Sequence, residues 1–125
     1  MNWKVECSSD LKRIELTYKG GNSARDIFSS SNSIIKLSKE KNITRFIVYA
    51  KELKLNAEKI DLFELPSKLY EKWGMDPSTR IAIIEPKDKD AKLKTDFYIL
   101  ATQNLGWFAK MFQTEKDAME WLAEK

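Results

Sequence analysis

Histidine is absent from the 125-residue chain, and cysteine occurs once, at Cys7. Without an imidazole there is no Ser-His or Cys-His nucleophile pair and no imidazole metal ligand. One thiol builds neither a zinc site of thiolates nor an internal disulfide. Cys7 falls on the apolar side of an alternating segment, so an inert, buried thiol is expected rather than a nucleophile. Sparse cysteine makes a cytoplasmic protein the simplest expectation. Glycine (4) and proline (3) are too few for a disordered or low-complexity chain. No apolar run approaches the ~20 residues that span a bilayer, and the start Met1–Glu6 has no signal-peptide core. An excess of one charge sign is missing too. With 22 basic and 19 acidic residues the net charge is only +3. Lysines alternate with acids, as in Lys87-Asp88-Lys89-Asp90. That is a solvated surface and not a nucleic-acid footprint.

What remains is an ordinary globular balance, 42% hydrophobic and 33% charged, and a length that suits one domain over 1–125. Trp3, Val5 and Cys7 alternate with polar neighbours, and so do Ile14, Leu16 and Tyr18. Two such strands joined by Ser8-Ser9-Asp10 predict an antiparallel hairpin. Gly20-Gly21-Asn22 is expected to end the second strand, and Ser23 with Asp26 resembles a helix cap. Ile27, Phe28, Ser31, Ile34, Ile35 and Ser38 share one helical stripe, which places Ser31 toward the core and Ser29, Ser30 and Ser33 in water. Arg45–Ala50 is nearly all apolar, as a central strand is. Leu62 to Trp73 gives a second helix, closed by Gly74 and interrupted by Pro66, which marks either a kink or a first turn. Arg80–Ile84 is a further buried strand. Phe97, Leu100, Ala101, Asn104 and Leu105 form a third stripe after a charged connection, Lys87–Lys94. Trp107–Phe112 is the last strand, and Ala118, Trp121 and Leu122 face inward on a final helix capped by Thr114 and Asp117. The order β-β-α-β-α-β-α-β-α predicts a single-layer mixed, mostly parallel five-stranded sheet with four helices packed on it.

Chemistry-bearing groups are few. Gly20–Ser23 between strand and helix lacks any phosphate-loop spacing, so it is a turn. The pairs Asp88/Asp90, Glu115/Asp117 and Glu120/Glu124 lie in a charged loop, at caps or on a solvent face rather than converging. No catalytic set, cofactor or metal is expected. Trp73 and Trp107 flank element ends and are the aromatics placed to contribute to a contact patch.

The C-terminal third resembles the SpoIIAA-like (STAS) family, and within it a bacterial group without a settled function. The likeness is carried by Arg80–Ile84, by Phe97-Tyr98 through Asn104-Leu105-Gly106, and by Phe112 through Ala118, Trp121 and Leu122. Leu62–Pro66 also resembles that family's helix after the third strand. The resemblance implies a non-enzymatic regulatory or protein-interaction module. Regulatory members carry a phosphorylated Ser or Thr at the start of that helix. Here no hydroxyl residue lies between Tyr49 and Ser67, so the phosphoswitch is expected to be missing. Sites of α/β sheets form where strand carboxyl ends meet helix starts. The loops expected there are Lys19–Ser23, Lys51–Asp61, Glu85–Lys94 and Gln113-Thr114, and the second carries the expected partner surface: Lys51, Lys54, Asn56, Lys59 and Asp61. The partner expected is a protein, or a second copy pairing through the edge hairpin. The alternative is a carrier or sensor of a small apolar or lipid-like ligand, with Phe28, Phe63, Tyr70 and Phe97 lining a gap between helix and sheet.

Overall fold

In a computed structural model of the chain, residues 1–124 are described. The elements are β1 (Trp3–Cys7), β2 (Ile14–Ser23), α1 (Ala24–Lys41), β3 (Arg45–Asn56), α2 (Lys59–Glu64), a π-helical turn (Leu65–Leu69), α3 (Tyr70–Lys72), β4 (Arg80–Ile84), α4 (Lys89–Asn104), β5 (Phe108–Phe112) and α5 (Glu115–Ala123). Strands lie side by side in chain order, β1-β2-β3-β4-β5. Only β1 against β2 is antiparallel. The predicted mixed, mostly parallel sheet is therefore what forms.

This strand order dictates the layers. Each parallel connection steps one strand in the same direction, and right-handed crossovers then place all three intervening helical segments on one face. Ile27, Ile34 and Ile35 of α1, Leu62 of α2, Leu65 of the π turn and Tyr98 of α4 pack there on Ile14, Leu16, Phe46, Val48, Ile81 and Ile83. α5 crosses to the other face, where Ala118 and Leu122 cover Ile47, Ala82 and Ile84. Its C-terminal carbonyls are held by two strand-start arginines. Arg45 Nε donates to Leu122 O (2.9 Å), and an Arg80 guanidinium nitrogen donates to Trp121 O (2.7 Å). Cations at this end also meet the helix dipole. Burial, and then the neighbouring Arg80, pull the Arg45 pKa below its ordinary value.

Several expectations need correction. Gly20-Gly21-Asn22 does not end β2, which runs to Ser23, and most of Lys51–Asp61 is strand rather than loop. Lys19–Ser23 pairs with Glu52–Asn56 beyond the reach of β4, whose partners stop at Tyr49. Gly20 permits this by taking φ +64°, and at Gly21 a Cβ would stand 3.2 Å from the Asn56 amide. Thr17 faces Tyr49 but Lys19 faces Glu52, so β3 carries one extra residue. That bulge resets the alternation: Phe46, Val48 and Ala50 point to the helices, and after it Leu53 and Leu55 do.

Ser30, expected in water, is fully buried. Its hydroxyl donates to Ile27 O at 3.1 Å and, with that proton spent, accepts from the Tyr18 hydroxyl at 2.5 Å. Of the two readings of Pro66 the first-turn one holds: the short α2 precedes it, and it stands in the first turn of the π-helical segment, where the Tyr70 N–H bonds to Leu65 O. At about 100° per residue, an α-helix would set Leu65 and Tyr70 roughly 140° apart. The wider turn turns both inward. α4 starts at Lys89, eight residues before Phe97, and it rotates the expected stripe outward, as described below.

Three of the four tyrosines, Tyr18, Tyr70 and Tyr98, are buried on the helix side of the sheet. The Tyr70 and Tyr98 hydroxyls bond to each other. Burial pushes all three phenols up, Tyr98 to about 12 and Tyr18 and Tyr70 strongly. The native state holds the neutral phenols, whereas the unfolded chain ionises from pH ~10. Stability is thus full below pH ~10 and falls as pH rises toward the native values. In an alkaline titration, absorbance at 295 nm should show these three phenolates appearing only together with loss of far-ultraviolet dichroism. Ionisation of all three near pH 10 in a fully folded chain would contradict their burial.

Candidate functional site

The carboxyl ends of the parallel strands meet the starts of α2 and α4, and the five expected site residues stand around this end without converging. Lys51 is exposed at the β3 bulge, and its carbonyl accepts from the Lys87 N–H at 3.1 Å. Lys87 Nζ also lies 3.5 Å from Glu52, which ties the bulge to the β4–α4 loop. Lys54 and Asn56 alternate with the buried Leu53 and Leu55, so they point to the sheet face opposite the three crossover segments. Lys59 and Asp61 stand on α2. The Lys59 ammonium lies 5.7 Å from the centroid of the Phe97 ring, a cation–π distance. Asp61 is spent on capping: its carboxylate accepts from the Glu58 N–H at 2.9 Å, and it sits on the flank of α2 toward Phe28 of α1. Lys51, Lys54 and Lys59 therefore offer exposed cations on different sides of one end, and Asp61 is a local structural group.

The most informative surface was not among the expected residues. α4 buries Ala91, Thr95, Tyr98 and Thr102, and two of these are threonines whose hydroxyls donate back to Ala91 O and Tyr98 O. Its large aliphatic side chains face water instead: Leu93 is 64% and Leu100 59% exposed. With the half-buried Phe97 they stand at i, i+4 and i+7, one continuous stripe. On the neighbouring α2, Ile60 is 68% and Phe63 38% exposed as well. Lys59, one turn before Phe63, lies at the seam over Phe97. The expected stripe of Phe97, Leu100, Ala101, Asn104 and Leu105 is therefore not the core face; Leu105 is 47% exposed. Two faces of this helix carry a helical period. The sequence signal that marks the buried one is the run of small and hydroxylated residues, which fits close approach to the sheet.

Trp73 and Trp107 are half-buried rather than presented to solvent. Trp107 meets Tyr70 edge-to-face at 5.7 Å and donates from Nε1 to Pro66 O at 3.0 Å. Cys7 is half-buried against the core. Tyr49, on the α5 face, is pushed up to about 12 by burial, with Glu115 and Glu15 adding to it. Among the described residues no three acidic or thiol groups gather where they could hold a metal, and no helix is long and apolar enough to cross a membrane.

No protein-family model matches the sequence, and no curated protein matches it. Solved structures do match the backbone. One is an uncharacterised protein of the DUF3478 family with a SpoIIAA-like fold, from Shewanella loihica. It superposes with a TM-score of 0.58 at 19% identity, over 97% of this chain and 92% of that one. A second is the anti-sigma factor antagonist SpoIIAA in its unphosphorylated form, with a TM-score of 0.56 at 11% identity, over 98% of this chain and 99% of that one. Both alignments run nearly end to end, so the resemblance first carried by the C-terminal third extends to the whole fold. The chain has a SpoIIAA-like fold.

Proposed function

We propose that the chain is a non-enzymatic interaction module of the STAS type, working in the cytoplasm, which docks a partner protein on the apolar stripe shared by α4 and α2. The observation that carries this is the inverted α4: Leu93 and Leu100 are 64% and 59% exposed while threonines are buried beneath them. An isolated exposed leucine means little, but a contiguous apolar strip on two adjoining helices is characteristic of an interaction surface. Lys59 puts a cation at the seam over Phe97, so the partner is one whose apolar face carries an acid opposite that point. The solved structure of similar fold that has a named role, SpoIIAA, is an antagonist of an anti-sigma factor, which supports a protein as the partner. The outer edge of β1 is short and carries Lys4 paired with Glu6 at 3.5 Å, which makes pairing with a second copy there the weaker route.

Two outcomes follow. With a partner captured, identified and purified, Leu93→Ser with Leu100→Ser should weaken binding at least tenfold in titration calorimetry while the dichroism spectrum stays native. Lys59→Ala should cost less and flatten the salt dependence. Undiminished affinity in the leucine variant would remove the α4 surface from consideration. Phosphorylation should play no part. From Ala50 to Pro66 there is no hydroxyl, and Ser67 Oγ already donates to Phe63 O at 2.6 Å. Incubation with a serine kinase of the anti-sigma type, followed by peptide mass mapping, should find no stoichiometric phosphate between Tyr49 and Trp73. Phosphate on Ser67 that blocks partner binding would show a displaced switch.

A further inference from the structure

The clamp on α5 uses only part of Arg45 and Arg80. The two residues stand opposite each other in register at the starts of β3 and β4, and both point to the α5 face, as Ile47 and Ala82 two residues further on do. Their guanidinium groups end on consecutive carbonyls of one helix turn, Leu122 O and Trp121 O. Two cations are thus held side by side, on strands about 4.8 Å apart. Glu124 O fixes Arg80 further at 2.9 Å, and its guanidinium lies 5.5 Å from the centroid of the Trp121 ring. Arg45 is fixed through Nη1 by Thr44 O at 3.1 Å and Ser78 O at 3.2 Å.

Charge does not balance at this point. Arg13, just before β2, shares an ion pair with Asp10 at 3.4 Å, but among the described residues neither Arg45 nor Arg80 has an acidic partner. Asp76, in the loop before β4, is taken up by the Ser78 N–H and hydroxyl. The α5 C-terminus answers the two cations with the equivalent of roughly half a negative charge, which leaves roughly +1.5 uncompensated. Donors are left over as well. Arg45 Nη2 and Arg80 Nε and Nη2 bond to no described residue. None of them is a sealed-off buried atom, and both residues are half-buried, so these N–H groups are open to solvent. A guanidinium fork matches the oxygens of phosphate, and the charge excess suits a dianion better than a single carboxylate.

We propose that Arg45 and Arg80 form a binding site for a dianionic phosphate group, either free or as the monoester of a small molecule. The phosphate oxygens accept from the open Nη2 and Nε N–H groups. The α5 carbonyls already hold both guanidinium groups in place, so little side-chain freedom is lost on binding. Phe108, 52% exposed and in register with Arg80 on β5, faces the same way as Phe112 of the α5-side cluster. It gives the organic part of an ester an apolar seat. The site lies at the amino ends of the strands, on the face opposite α4 and α2, and does not rest on the partner surface proposed there.

The test is nuclear magnetic resonance of the whole chain with ¹⁵N-labelled arginine side chains. It is titrated with inorganic phosphate and separately with phenyl phosphate, against sodium chloride at equal ionic strength. The Nε resonances of Arg45 and Arg80 should shift saturably, while those of Arg13 and Arg25 follow ionic strength alone. Tighter binding of phenyl phosphate, with movement of the Phe108 ring signals, would identify an ester as the ligand. Equal affinity would identify the free anion. Arg80→Lys keeps the charge but not the fork, and should weaken inorganic phosphate about tenfold, the equivalent of about 1.4 kcal/mol, with native dichroism. Shifts of all the arginines that match those in chloride would reduce the effect to screening and overturn the site, as would unchanged phosphate affinity in the variant. The arginine shifts are read on the unaltered chain, so the test stands even if the variant disturbs α5.

Discussion

Right-handed crossovers between strands taken in chain order govern most of this molecule. Because β2 to β5 step in one direction, α1, α2 with its π turn, and α4 must share a single face of a five-stranded sheet. The opposite face is left to α5 alone, and two arginines at the strand starts hold that helix by its C-terminal carbonyls. Crowding on the first face has consequences further up. α4 approaches the sheet through alanine and threonine, and its leucines are turned to water. The α4 inversion leaves apolar side chains exposed on the outside.

Much of the architecture was legible in the sequence. Period-2 alternation in Trp3–Cys7 and Ile14–Tyr18 marked the hairpin, and the continuous apolar runs at Arg45–Ala50 and Arg80–Ile84 marked strands covered on both faces. Ser23 with Asp26 forms the predicted reciprocal cap, at 3.2 and 2.9 Å. Thr114 caps Asp117 at 3.2 Å. The misses have physical causes. Glycine pairs usually signal a turn, but here Gly20 supplies a left-handed residue inside a strand and Gly21 makes room for Asn56. A bulge in the middle of β3, between Tyr49 and Glu52, broke the alternation that would have revealed Glu52–Asn56 as strand.

The candidate site was less legible than the fold. Lys51, Lys54 and Lys59 were placed at the correct end of the sheet, yet nothing local to them shows that the side chains diverge, because that depends on the bulge and on where α2 begins. Asp61 reads as a surface acid and serves as a cap. α4 was misread because size was allowed to decide between two competing helical faces. Leu93, Phe97 and Leu100 have the larger side chains, whereas Ala91, Thr95, Tyr98 and Thr102 have the closer fit. Ser30 was hidden for a related reason: its burial depends on Tyr18, a partner 12 residues away on β2.

The central claim is that α4 presents its leucines to solvent, and single-residue stability measures it most directly. Urea unfolding of Leu100→Ala should give a loss within about 0.5 kcal/mol of the unaltered chain, as for an exposed position. Leu62→Ala, a buried leucine on α2, should cost about 2–5 kcal/mol under the same conditions. A loss of that larger size at Leu100 would mean that the leucine face is the packed one, and would contradict the surface derived from it.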